Sequence, residues 1–398
     1  MLVQSAEQVV AQAQHDIPLC VPHMTGNEWA YIKECLDTNF VSSVGPFVER
    51  FERAIAIYVG TDYAVATVNG TAALHVALHV AGVTAGDEVL VPTLTFIAPV
   101  NAIRYLGAWP VLVDVERDYW QMDVAAVDGF LRDRCVRRDD GLYNAVTGRR
   151  IAAIVPVHIL GHPVDLDRLV ALGREFSIPI VEDATESLGA HYRDRAVGTF
   201  GLLSCFSFNG NKLITTGGGG MICTNDPEAA RRAKYLTTQA KDDAIEFIHG
   251  EVGYNYRLTN VLAALGVAQA EQLPVYVERK REIARRYAEG LAGIPGITPM
   301  REAGWARSVF WLYTVLVDAP AFGMDSRALL RALHADGIQT RPLWQPMHQS
   351  PSQRDAVSLG GTIAEQLNRD ALSVPCSIGL TEAQQERVIE RIRHHAAA

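Results

Sequence analysis

Cysteine is scarce and dispersed. The 398 residues hold six, Cys20, Cys35, Cys135, Cys205, Cys223 and Cys376, with no C-x-x-C pair and no dense framework. That spacing reads as reduced, mostly buried thiols of a cytosolic protein. A basic leader is missing as well. Met1 to Asp16 carries Glu7 and Asp16 but no Lys or Arg, so no targeting signal is expected and the chain reads as cytoplasmic. Long apolar runs are interrupted: the uncharged stretch from Tyr63 to Gly86 contains Asn69, Gly70, Thr71, His75 and His79. A membrane-spanning helix would carry such residues only at a cost, so a buried strand, a turn and a buried helix are predicted there. Basic charge is in deficit, 36 Lys and Arg against 45 Asp and Glu for a net −9, which excludes a polybasic nucleic-acid binder. No G-x-G-x-x-G follows any apolar run, which argues against a nicotinamide-dependent oxidoreductase. Internal repeats and low-complexity segments are absent too.

What is present is an ordinary globular composition, 48% apolar and 20% charged, ample for a sizeable core. Short Val- and Ile-rich runs alternate with helical stretches. Ala64–Val68, Glu88–Pro92, Pro110–Val113, Ala152–Val157 and Ile178–Glu182 read as strands buried on both faces, and Leu202–Phe208 and Gly220–Cys223 add two more. Between them lie helix-like segments at Thr71–Ala81, Ile97–Leu106 and Leu166–Phe176. The alternation predicts a mostly parallel seven-stranded α/β sheet flanked by helices. After Leu273-Pro274 the pattern changes to a charged helix (Val277–Leu291), a Pro/Gly-rich stretch, a strand (Phe310–Val317) and a helix (Ser326–Asp336). The expected organisation is an N-terminal extension at 1–25, a large domain at 26–274 and a smaller α+β domain at 275–398.

The most unusual text runs from Ser204 to Met221, where Lys212 follows an apolar strand and precedes Thr215, Thr216 and four consecutive glycines. Four glycines cost conformational entropy, so backbone there must approach something closely or adopt positive φ. A flexible turn is one reading. The other is a nucleophilic lysine for Schiff-base chemistry. A Walker-type loop does not fit, because Lys212 precedes the glycines and Leu213 stands where Ser or Thr should bind magnesium. A lysine of this kind suits pyridoxal phosphate if three partners exist. Asp183 ends the strand Ile178–Asp183, where α/β folds place ligands, and could serve the pyridine nitrogen; a helix N-cap is its plainer role. Asn69-Gly70-Thr71 opens a helix and could cradle a phosphate, or simply cap that helix. Phe96, just after another buried strand, could lie against a ring or pack in the core.

Taken together, Val41–Val48, Asn69–Leu74, Pro156–Gly161, Glu182–Ser187, Ser207–Met221 and Gly253–Thr259 resemble the DegT/DnrJ/StrS family of sugar aminotransferases, fold type I pyridoxal phosphate enzymes. The resemblance covers the chain from about Phe40 onward. It implies Lys212 as the Schiff-base lysine, Asp183 on the pyridine nitrogen and Phe96 on the ring face. Gly70, Thr71 and Ser207 would hold the phosphate, with Ala72 beside them and Glu186 near the cofactor hydroxyl. Asn255 would reach the phosphate from the neighbouring subunit, making a homodimer obligatory. Two departures stand out. Asn209 and Gly219 replace the His and Glu of many members, and Glu186 replaces Gln or His. Ser-Phe-Asn-Gly-Asn-Lys with four glycines resembles the LegC-like branch, which aminates C4 of UDP-linked 4-keto-6-deoxy-N-acetylhexosamines.

The expected function is therefore amination of a nucleotide-linked keto sugar with glutamate as donor, in amino-sugar or surface-glycan biosynthesis. A C3 aminotransferase for a dTDP-keto sugar and a non-catalytic pyridoxal-phosphate-holding protein are the alternatives. Arg257 and Arg341 are candidates for bidentate contact with a diphosphate or a donor carboxylate, or for salt bridges. Trp344 and His348 are nucleotide candidates. His158 is either a polar group near the cofactor or a structural histidine. No metal is expected: His75 and His79 stand one helical turn apart without an acidic or Cys partner.

Overall fold

The computed structural model describes residues 16–243 and 245–396. Most of the expected N-terminal extension, residues 1–15, lies outside them. The principal strands are β1 (Tyr63–Thr67), β2 (Glu88–Pro92), β3 (Trp109–Val113), β4 (Ile151–Ile154), β5 (Val181–Asp183), β6 (Leu203–Ser207) and β7 (Gly220–Thr224). A second group comprises β8 (Ile297–Pro299), β9 (Tyr313–Val317), β10 (Arg341–Pro342), β11 (Val357–Leu359) and β12 (Ala371–Val374).

β11, β3, β2 and β4 form a parallel set, while β5, β6, β7 and β1 form another in which β7 runs antiparallel to both neighbours. The two sets meet through parallel bridges Ile154–Ile180 and Val157–Asp183. The order is thus β11-β3-β2-β4-β5-β6-β7-β1. All seven expected strands are present in a mostly parallel α/β sheet, and an eighth, β11, adds an edge. Its three residues are flanked by Ala356 and Gly360 and carry too little apolar pattern to be legible in sequence. Strands β2 and β7 are buried along their whole length, as a sheet covered on both faces requires.

Strands β8, β9, β12 and β10 form a separate antiparallel sheet. The strand expected at Phe310–Val317 starts only at Tyr313, because Phe310 takes φ +47°. Pro274 stands in the first turn of helix Leu273–Gly290, where a missing N–H breaks no helical bond. Asp114, just after β3, accepts hydrogen bonds from the amides of Gly361 (2.7 Å), Ile363 (3.2 Å) and Ala364 (3.1 Å). It thereby caps helix Thr362–Asp370 from the end of a distant strand. No helix among the described residues is long and apolar enough to cross a membrane.

Candidate active site

At the carboxyl ends of β5 and β6 lies a cavity of about 270 Å³. Its first wall is the start of helix Gly70–Val80. Asn69 caps that helix by accepting the Ala72 amide at 2.8 Å, which leaves the amides of Gly70 and Thr71 without a carbonyl one turn back. A Cβ on Gly70 would sit 2.9 Å from Ser207 Cβ and 3.3 Å from Thr185 Cγ2. Only glycine keeps this helix end open beside two hydroxyl side chains, and such an end attracts an anion.

The second wall is the loop from β6 to β7. Phe208 and Gly219 pair across its base, with the Phe208 amide donating to the Gly219 carbonyl at 2.8 Å and the Thr216 amide donating to Phe208 O at 2.9 Å. Three of the four glycines prove to be required. Gly217 has φ +82°, and a Cβ on Gly219 would lie 2.3 Å from Thr216 Oγ1. One on Gly220 would lie 2.5 Å from Asn69 O, so close approach there joins the lysine loop to the helix end. Gly218 has no such constraint.

Lys212 enters the cavity from this loop, its side chain 13% exposed. Nζ lies 3.6 Å from Glu186 Oε1 and 4.1 Å from the centroid of the Trp311 ring. The Leu160 amide donates to Glu186 Oε2 at 2.8 Å. Burial pushes the Glu186 carboxyl up to about 7, against the pull of Lys212 and of the Leu160 amide. Asp183 is buried at the end of β5. Burial raises its carboxyl too, opposed by hydrogen bonding from Thr185, whose amide donates at 3.1 Å, and by the charge of Lys212. Two buried carboxyls raised by burial, each under the charge of one lysine, are a common mark of acid–base chemistry.

Phe96 lines the same cavity and is 54% exposed although it stands only four residues beyond the end of buried strand β2. An apolar ring left open in a cavity is a surface for a flat ligand. Arg341, Trp344 and Trp311 come from the segments of the second sheet, and the two indoles stack 6.5 Å apart at 7°. Gly70, Thr71, Phe96, Glu186, Ser207, Lys212 and Arg341 thus meet in one place, with Asp183 buried next to them.

Other expected residues do not join them. Ala72 is off the wall, its amide taken by Asn69. His348 is held elsewhere, between Thr93 Oγ1 (2.7 Å) and Glu365 Oε1 (2.8 Å). Asn255 and Arg257 lie outside the cavity, Asn255 exposed and the Arg257 Nε buried without a partner among the described residues. His158 is structural: its Nδ1 accepts the Val164 amide at 3.1 Å, so the neutral ring donates Nε2–H to Glu182, at 3.2 Å. His75 packs among Tyr105, Tyr254 and Tyr256. Sequence reasoning missed Trp311 and Thr185. Thr185 sits inside the motif Glu182–Ser187, whereas nothing local marks Trp311, 99 positions from Lys212.

These features fit pyridoxal phosphate: a lysine, a buried anion, an open ring face and an anion cradle that a Cβ would fill. Comparison with known proteins agrees. The profile described as the DegT/DnrJ/EryC1/StrS aminotransferase family matches residues 22–393. EpsN of Bacillus subtilis (strain 168), named as a pyridoxal phosphate-dependent aminotransferase, is 38% identical over 382 residues, 95% of each chain. The GDP-perosamine synthase of Caulobacter vibrioides is 38% identical over 374 residues, 94% of this chain and 96% of its own. The structure of S. venezuelae DesV superimposes with a TM-score of 0.83 at 33% identity, covering 94% of this chain and 95% of that one.

Proposed function

The chain belongs to the DegT/DnrJ/EryC1/StrS aminotransferase family and is a pyridoxal-phosphate-dependent aminotransferase; from that premise we propose that it transfers the amino group of glutamate to the C4 ketone of a nucleotide-linked 4-keto-6-deoxy sugar. The observation that carries this reading is the placement of the Lys212 amine, 3.6 Å from a buried carboxylate in the cavity that the Gly70 helix end opens onto. Bound there, pyridoxal phosphate supplies an aldehyde for amines and a ring that withdraws electrons from the carbon losing its proton. Gly70, Thr71, Thr185 and Ser207 would hold the phosphate, Phe96 would lie against the ring, and Asp183 would keep the ring nitrogen protonated. Lys212 Nζ would take the proton from the glutamate Cα and, in the second half, deliver one to C4 of the sugar. Arg341 takes a carboxylate or phosphate of the substrates by paired N–H bonds.

For the sugar, the Ser-Phe-Asn-Gly-Asn-Lys sequence with four glycines favours a UDP-linked 4-keto-6-deoxy-N-acetylhexosamine of a LegC-like branch. A GDP-linked sugar is the second reading, favoured by the names of relatives such as the C. vibrioides GDP-perosamine synthase. A cytoplasmic homodimer completes the proposal. Asn255 is exposed beside Arg257, with Ile245, Phe247 and Val252 exposed just upstream, so this segment serves a partner's cavity rather than its own. The purified protein should be yellow with pyridoxal phosphate, and borohydride should fix the cofactor on Lys212. Glutamate with a panel of UDP-, GDP- and dTDP-keto sugars then decides the substrate. Amination of none of them would overturn the sugar assignment.

A further inference from the structure

Trp311 is fixed from every polar side. Its backbone amide donates to Leu160 O at 2.9 Å, and its carbonyl accepts from the buried ammonium of Lys280 at 2.7 Å. The indole N–H donates to the carbonyl of Asn211, the residue before Lys212, at 2.7 Å. The remaining ring face meets the Lys212 amine at 4.1 Å, within cation–π range.

Two turns create this arrangement. Leu160 (φ +59°) and Phe310 (φ +47°) are bulky residues in the left-handed region, on turns that interlock. The Val309 amide donates to Gly161 O at 3.1 Å. A Cβ on Gly161 would lie 2.7 Å from Val309 Cγ2. Such strain costs energy and persists where surrounding contacts over-determine it, often at functional sites. The Leu160 residue that accepts from Trp311 also donates its own amide to Glu186 Oε2. One turn therefore sets both groups that flank the amine.

We propose that Trp311 is the positioning residue for Lys212: its indole N–H fixes the lysine loop through Asn211, and its ring face confines the amine to the side of Glu186. An indole serving only as core filler would need some hydrogen-bond acceptor, but not the carbonyl adjoining the reactive lysine, nor a ring face turned to its amine. A confined amine reaches the donor Cα along a short, repeatable arc, and small misplacements of such a group cost rate steeply. The inference rests on the aminotransferase reading above.

The test separates N–H from ring. Trp311→Phe keeps a ring and loses the N–H; Trp311→Leu loses both; Trp344→Phe alters the neighbouring cavity indole as a control. In cofactor-free protein, brief acetylation followed by mass spectrometry of the Lys212 peptide should show faster labelling in Trp311→Phe, faster still in Trp311→Leu, and no change in Trp344→Phe. In loaded enzyme, Trp311→Phe should lower kcat by about ten- to a hundredfold, with KM for the sugar unchanged. The isotope effect from glutamate deuterated at Cα should rise, because proton transfer by the lysine becomes slower. Unchanged labelling in both Trp311 variants overturns the proposal, as does a higher sugar KM with kcat intact. Wild-type protein that stays colourless with pyridoxal phosphate would instead sink the aminotransferase reading, while the labelling of cofactor-free protein still decides what holds the lysine.

Discussion

Replacing Glu186 by glutamine removes a carboxyl that burial has displaced from its ordinary 4.5 to about 7. Each pH unit of such displacement corresponds to about 1.4 kcal/mol, so the displacement carries about 3 kcal/mol as a ceiling. The sign follows from proton binding. Between pH 4.5 and 7 the folded chain keeps a proton on Glu186 that the unfolded chain has released, so the contribution of this group to wild-type stability falls as pH rises through this window. Glutamine carries no charge at any pH and still offers an oxygen to the Leu160 amide. Asp183 acts in the same direction, because the charge on Glu186 opposes its ionisation and that charge is gone. The stability of Glu186→Gln minus that of wild type should therefore grow by up to about 3 kcal/mol across the window and level off above it. Urea unfolding of both cofactor-free proteins, from about pH 5 to about pH 8, measures the difference while cancelling every other titration they share. A difference that is flat, or that shrinks with rising pH, would refute the assignment of the displaced carboxyl.

Gly70→Ala places a methyl 2.9 Å from Ser207 Cβ; affinity for pyridoxal phosphate should fall at least about tenfold, about 1.4 kcal/mol, in a cofactor titration, and wild-type affinity would disprove the cradle. With Asp183→Asn, the glutamate half-reaction should slow by about a hundredfold with little change in cofactor content, as single-turnover absorbance would show. Asp114→Ala strips three amides of their acceptor at the start of helix Thr362–Asp370; urea unfolding should register a loss of about 3 kcal/mol, and Asp114→Asn about half of it.

Much of the chemistry was legible because it is local. Asp183 stands at a strand end, Gly70 at a helix start and Lys212 in the loop after a strand, and those positions follow from apolar runs and the residues that interrupt them. The eighth strand was not legible, since Val357–Leu359 is a strand only by virtue of pairing with β3. His348 read as a ligand contact because imidazole suits many roles; in the fold both its ring nitrogens are committed to Thr93 and Glu365. Asn255 and Arg257 share a motif with cofactor chemistry yet lie outside the cavity of their own chain.

The amino-acid order by itself determined the class of sheet, because hydrophobic period, helix capping and glycine act over a few residues, and its motifs, through their resemblance to a family, pointed to the kind of cofactor. Only the tertiary structure decided what surrounds the amine. Trp311 and Arg341 lie about a hundred or more positions beyond Lys212, on segments of the second sheet. The turn at Leu160 and the buried ammonium of Lys280 hold Trp311 there. The displaced value of Glu186 is likewise a property of burial, which no sequence window contains.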